Sequence, residues 1–209
     1  ADTDFALGML PSATADMMQA FDAPNSGHSR LWQRQHQVSL RMEYRTKHQN
    51  RTTITFQLPL RWELEHLLFD KVGQHFDRNR TQALFSPQVY LHQQFQKGET
   101  SHVFTFNYSL SRAMPDFIYA LELEDSSNPL YIQRGNAHLV PSTTQNLSFT
   151  MNTLKKYRKL YDLNLSYQRT SNAVATERTY NPTTGGYVTH PVNVNGNWRT
   201  DGTFSTNGQ

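Results

Sequence analysis

A chain of 209 residues can bury a sizeable core, yet only 36% of it is hydrophobic and its mean hydropathy is −0.70. Two classes fit such polarity, a partly disordered chain or a large barrel with a single apolar face, and 12 Phe, 10 Tyr and 3 Trp argue against the first. A net charge of +3 without a long basic run leaves no nucleic-acid footprint, and the lack of cysteine rules out a disulfide framework or a thiolate metal site.

Residues 1–30 read as an irregular lead-in, punctuated by Gly8, Pro11, Pro24 and Gly27. Met17, Met18 and Phe21 have the spacing of a short helical turn over Ala13–Phe21. Ala1 to Phe5 lacks the basic start and apolar stretch of a secretory leader. No apolar run approaches the ~20 residues of a membrane-spanning helix, which leaves spanning strands untouched.

From Leu31 to Arg45 the pattern becomes strict, with Val38, Leu40, Met42 and Tyr44 alternating with Ser39, Arg41, Glu43 and Arg45. A polar turn, Lys47 to Arg51, leads to a clearer strand, where Ile54, Phe56, Leu58, Leu60, Trp62 and Leu64 face away from Arg61 and Glu63. Pairing the two as a hairpin puts both apolar sets on one face and Arg41, Glu43, Arg45, Arg61 and Glu63 on the other. Five ionised groups on one face must meet water or one another. Pro59 removes a ladder hydrogen bond, which predicts a bulge or bend there.

A polar connection is predicted over 65–86, then a strand marked by Val89, Leu91 and Phe95, and a short turn, Lys97 to Ser101. Phe104, Phe106, Tyr108 and Leu110 alternate with Val103, Thr105, Asn107 and Ser109. The longest connection, 112–142, feeds a strand over 146–152 with Leu147, Phe149 and Met151 on one face. A basic turn (Lys155, Lys156, Arg158, Lys159) precedes a strand with Tyr161, Leu163, Leu165 and Tyr167. Another polar loop, 170–191, holds Asn181 to Gly186, and a last strand is expected from Val192.

The pattern therefore predicts an all-β fold, an antiparallel up-and-down meander of about seven long strands over 31–209, forming part of a large transmembrane β-barrel. Strands of ~10 residues suit a tilted membrane crossing better than a soluble sheet. Ile54, Phe56, Leu58, Leu60, Phe104, Phe106 and Tyr108 are the expected lipid-facing set, and Arg41, Glu43, Arg45, Arg61 and Glu63 the expected lumen-facing charged network. A soluble antiparallel sandwich that binds glycan or protein alternates identically, so pattern alone leaves it open.

No metal, cofactor or catalytic role is expected. The nine His form no close ligand pair, and no nucleophile elbow, phosphate loop or dinucleotide glycine pattern occurs. Glu122, Glu124 and Asp125 read as solvated loop acids rather than a glycosidase pair. Asn-x-Ser/Thr triplets at Asn50, Asn79, Asn107, Asn146 and Asn164 fall on or beside strands. Phe117, Tyr119, Tyr131 and Arg134, in the longest connection, are the candidates for contact with a ligand.

The stretch from Asn128 to Pro141 reads Asn-Pro-Leu-Tyr-Ile-Gln-Arg-Gly-Asn-Ala-His-Leu-Val-Pro and is followed by an alternating strand. It resembles a late-barrel signature of Bacteroidetes outer-membrane β-barrel proteins of the TonB-dependent receptor superfamily, in which Asp/Asn-Pro-Leu precedes Gly-Asn-Pro-x-Leu-x-Pro-Glu. Ala137 and Ser142 stand where that pattern has Pro and Glu. Phe104 to Phe117, Tyr180 to Gly185 and Val192 to Gly196 resemble family segments in the same order. The resemblance implies long loops outside the cell and short turns in the periplasm, an outer-membrane location, and a piece of a barrel of about 22 strands around a plug. It also implies binding and import of a nutrient ligand, coupled through a TonB-type partner by regions absent from this sequence. A non-transporting barrel in envelope assembly or secretion is the alternative. Gly135 is expected to supply backbone freedom at the turn into the strand.

Overall fold

The computed structural model describes residues 27–46, 50–71, 74–122, 124–128, 130–156 and 158–207. The expected helical turn over 13–21 and most of the lead-in lie outside them. The chain forms β1 (Gly27–Arg45), β2 (Arg51–Lys71), β3 (Gln74–Phe85), β4 (Gln88–Lys97), β5 (Thr100–Ala113), β6 (Glu124–Asn128), β7 (Tyr131–Arg134), β8 (Ser142–Lys155), β9 (Arg158–Ser171), β10 (Ala173–Asn181), β11 (Gly186–Val194) and β12 (Asn197–Thr206). A 3-10 turn, Phe117–Ala120, lies between β5 and β6. The main sheet runs β1-β2-β4-β5-β8-β9-β12, all antiparallel, with β3 also paired to β2; a smaller sheet runs β10-β11-β7-β6. Only its β7–β11 pairing is parallel, among the described residues.

The alternation read in the sequence becomes two chemically distinct faces. Register places Val38 opposite Leu60, Phe56 opposite Val89, Leu91 opposite Phe106, Phe106 opposite Phe149, Phe149 opposite Leu165 and Leu163 opposite Phe204. Directly opposed residues point to the same side, so an apolar band crosses seven strands without interruption. Ile54, Phe56, Leu58, Leu60, Phe104, Phe106 and Tyr108 all lie in it. On the other side, Gln57, His92, Thr105, Thr150 and Asn164 continue a polar face. No second sheet covers the band among the described residues: Val38, Leu40, Met42, Phe56, Leu165 and Phe204 are all exposed. A sandwich would bury that surface.

Two expected loops are largely strand. β2 runs on to Lys71 and returns as β3, which occupies most of 65–86. Leu60 faces Phe85 and Gln57 faces Gln88, so β3 and β4 share one register along β2 and break only at Ser86 and Pro87. The break lies opposite Leu58 and Pro59. Ser86 N–H donates to the Pro59 carbonyl at 3.2 Å, and Pro59 has no N–H to return. The predicted bulge is therefore absent: β2 keeps its register with β1 through Pro59, and the strand facing it on the other side is interrupted instead. The 170–191 loop is likewise the hairpin β10–β11, and the expected last strand from Val192 resolves into the end of β11 and a separate β12.

This second hairpin continues β9 and β12. Thr170 faces Asn197 and Ala173 faces Val194, so register passes unchanged through a kink at Asn172 and Asn195. Asn172 is left-handed (φ 54°) and Gly196 has φ 94°. Side-chain amides stand in for ladder bonds there, with Asn172 N–H donating to Asn195 Oδ1 at 2.8 Å and Asn193 Nδ2 donating to the Asn172 carbonyl at 2.8 Å.

The remaining connections are short and share one end of the sheet. Gly98 is left-handed (φ 59°) in the two-residue turn between paired Lys97 and Thr100. Lys156 N–H donates to the Glu99 carbonyl at 3.3 Å, so the β8–β9 turn sits beside it. The basic cluster is placed at this end, where Lys156 pairs with Glu99 and Lys159 with Asp162.

Candidate functional site at the far end of the sheet

Opposite the short turns, the two long hairpins and the chain between β5 and β8 fold against one another. Polarity explains why. Along β2, the apolar face holds Ile54 through Leu64 and the other face holds Thr53, Gln57, Arg61, Glu63 and Glu65. Beyond Glu65 the assignment inverts. Leu67 and Phe69 now lie on the formerly charged side, joined by Phe76 from β3, while His66, Asp70 and Asp77 take the formerly apolar side. Leu67 (3% exposed), Phe117 (7%) and Leu121 (3%) form a small core there with Phe69, Phe76 and Ala120. The 3-10 turn is thereby pinned onto the hairpin, its first turn capped by Asp116 Oδ1 accepting from Ile118 N–H at 3.2 Å.

Beneath that core the charged side chains separate into two groups rather than one network. Arg41 and Arg45 both reach Glu43, at 3.1 and 2.5 Å, in an exposed cluster. Higher up, Arg61 Nε lies 3.0 Å from Glu63 Oε1 without hydrogen-bond alignment, while its Nη2 donates to the Arg112 carbonyl at 3.3 Å. The sequence did not single out the strongest pair. Arg80 contacts Glu65 Oε2 through Nη2 at 2.5 Å and Nε at 2.6 Å, with both side chains nearly buried. Its guanidinium also lies 4.4 Å from the centre of the Phe117 ring. Gln33 Nε2 donates to the other Glu65 oxygen at 3.2 Å. Glu65 and Arg80 face each other across β2 and β3, a register invisible while 65–86 reads as loop.

Of the four candidate ligand residues, Phe117 is withdrawn into the core, because packing on Leu67 and Arg80 removes its ring from solvent. Tyr119 and Arg134 line a common cleft of about 390 Å³ with Phe69, Lys71, Glu124 and Gln133. Tyr119 is exposed, and Arg134 Nε donates to Glu124 Oε2 at 2.9 Å. Tyr131 belongs elsewhere. It neighbours Tyr187 at 6.1 Å between ring centres, Tyr180 lies edge-on to Tyr187 at 5.4 Å, and Arg178 sits 3.8 Å from the Tyr187 ring centre and 4.7 Å from that of Tyr131. Sequence reasoning missed Arg178, Tyr180 and Tyr187 because β10 and β11 were read as loop. A second cleft, about 480 Å³, opens over Arg78, Arg80, Gln82, Met114 and Glu122.

The Asn128–Pro141 stretch ties these parts together. Asn136 Nδ2 donates to the Pro191 carbonyl at 2.9 Å, and Asn193 both accepts from Val140 N–H at 2.9 Å and donates to its carbonyl at 3.1 Å. Gly135 has a different role from the one expected. No left-handed φ requires it; a Cβ there would sit 1.5 Å from the Leu121 carbonyl oxygen, so glycine is demanded by close backbone approach. Gly186 is similarly crowded, its Cβ position lying 2.7 Å from the Leu130 carbonyl oxygen.

Chemically, the far end offers an exposed tyrosine–guanidinium cluster, a cleft of mixed charge and a buried ion pair. The family model described as an outer membrane protein beta-barrel family matches residues 34–209. No curated protein and no solved structure matches the chain.

Proposed function

Because the chain belongs to that outer membrane protein β-barrel family, located in the outer membrane, we propose that it is a piece of a larger, ligand-importing barrel. In this reading the apolar band meets lipid, the polar face lines the lumen, and further strands pair with the free edges of β1 and β12. The polarity inversion at Glu65 carries the orientation. Ile54 to Leu64 rises ~33 Å along the strand and, at a tilt of ~40°, about 25 Å in height, the thickness of a barrel's apolar band. Above that height the strand is in water on both sides, and apolar residues must turn inward to form a core. The folded far end is therefore extracellular and the short turns periplasmic.

Import of a nutrient is the reading supported by what covers the polar face. Segments between β5 and β8 fold over the polar face and present the cleft of Tyr119 and Arg134 toward it, where a ligand captured outside would be held before passage. Tyr119 and Arg134 supply the binding groups of this cleft. Energy coupling through a TonB-type partner would reside in regions beyond these strands.

The test uses the full-length barrel in detergent, titrated calorimetrically with a panel of soluble nutrients: oligosaccharides, peptides, iron chelates and cobalamin. One class should bind, and Tyr119→Ala with Arg134→Ala should weaken it at least tenfold. A deletion strain that grows like its parent when each nutrient is limiting, together with no ligand retained by the pure barrel, would overturn import and favour envelope assembly or secretion.

A further inference from the structure

The apolar band ends, on its extracellular side, in arginine and tryptophan. On β1 the outward positions above Val38 are His36, Arg34, Trp32, Arg30 and His28, a switch from four apolar residues to four basic ones around an indole. Arg34 is opposite Leu64, the last apolar residue of the β2 run, and Arg30 opposite Leu68. These pairings put Arg34 at the top of the band and Arg30 ~10 Å above it. The same switch recurs five strands away. On β9 the outward run ends at Tyr167, and the next outward residue is Arg169, opposite Trp198 of β12. All three tryptophans of the chain, Trp32, Trp62 and Trp198, are exposed on this one face at this one boundary.

Charge pairing separates these arginines from those on the opposite face. Arg41, Arg45, Arg61, Arg80 and Arg199 each have a carboxylate within 3.1 Å. Arg30, Arg34 and Arg169 are exposed and have no carboxylate partner among the described residues. The nearby outward acids are already engaged, Asp77 by His66 at 2.8 Å and Asp70 by His75. An unneutralised guanidinium at the edge of a hydrocarbon layer is best matched by a phosphate, which it binds bidentately, with indole rings seated beside it at headgroup level.

We infer that Arg30, Arg34 and Arg169, flanked by Trp32 and Trp198, bind the phosphate groups of anionic lipids in the outer leaflet and fix the height of the barrel in the membrane. The inference rests on the outward assignment of the apolar band and is independent of nutrient import. Assembly of the barrel tests that assignment separately, through the Phe106→Arg variant discussed below.

The experiment is native mass spectrometry of the full-length barrel released from mixed micelles holding equal amounts of phosphatidylglycerol and phosphatidylcholine. The wild type should retain several-fold more phosphatidylglycerol. The triple variant Arg30→Gln, Arg34→Gln, Arg169→Gln should lose that excess while keeping its heat-modifiable migration, and the triple Arg→Lys variant should regain part of it. Equal retention of the two lipids by the wild type, or an undiminished excess in the glutamine variant, overturns the inference. Should the glutamine variant fail to fold, raising salt on the wild type from about 0.05 M to about 0.5 M decides the matter: screening should abolish the excess, and an excess unchanged by salt overturns it.

Discussion

Replacing Phe106 with Arg puts the face assignment under the greatest strain. Phe106 lies between Phe104 and Tyr108 on its own strand and is flanked by Leu91 on β4 and Phe149 on β8. The apolar run on β5 extends from Phe104 to Leu110, so position 106 is well inside the band. A guanidinium there, on the lipid side of a barrel, costs ~2–4 kcal/mol, or roughly 30- to 700-fold in the folding equilibrium. The neighbouring Thr105 points to the polar face, beside His92 and Thr150. Thr105→Arg should therefore cost little, although the two substitutions are adjacent in sequence and chemically alike. The assay is folding of the full-length barrel into lipid vesicles across a urea series, read as the heat-modifiable fraction. A midpoint for Phe106→Arg equal to that of Thr105→Arg would refute the lipid-facing reading of the whole band, because register ties all seven strands to it.

Arg80→Ala strands Glu65 in a nearly buried site with only Gln33 as partner, a loss of ~3–5 kcal/mol; exchange of the Tyr119 and Leu121 amides should accelerate roughly 100-fold or more, and unchanged protection would show that the ion pair does not hold the 3-10 turn. Gly135→Ala forces the Leu121 carbonyl away from a contact of 1.5 Å, so limited proteolysis should cut within 114–122 while membrane strands stay protected. Asn193→Ala removes three side-chain hydrogen bonds, each contributing about 1 kcal/mol. Amide exchange should rise across β10 and β11 and leave β9 and β12 unaltered; a uniform rise over all four would mean that the kink does not separate tip from base.

The membrane-level fold was legible because one rule governs it. Lipid on one side and water on the other enforce a period of two, and Ile54 to Leu64 and Phe104 to Leu110 display it without exceptions. The far end obeys no such rule. Ala173 to Asn181 and Gln74 to Arg80 form strands as regular as any other, but they lie beyond the apolar band, and the alternation that would announce them is diluted by Thr, Arg, Asn and Gln. Their core is a few residues contributed by separate segments, so Leu67, Phe117 and Leu121 look unrelated until the chain folds. For the same reason Phe117 was mistaken for a surface group, Tyr131 was grouped with Tyr119, and the Glu65–Arg80 and Arg178–Tyr187 contacts went unseen. Glycine was also readable only halfway: Gly135 reads as a source of backbone freedom, but what demands glycine there is the close approach of the Leu121 carbonyl, which appears only once the chain folds.

The unbroken register through Asn172 and Asn195 keeps the far-end hairpin in phase with the strands it extends. Residues 173–181 pair with 186–194 beyond the kink, while β11 also pairs with β7, and the hairpin joins β9 and β12 through Asn172 and Asn195, two residues that face each other. Lengthening or shortening both legs by equal numbers leaves the inside and outside assignments of β9 and β12 intact, whereas a single-residue insertion in one leg exchanges them. A lineage of such barrels could thus diversify the tip that meets the environment by paired additions and losses, while the part that assembles in lipid kept a fixed phase.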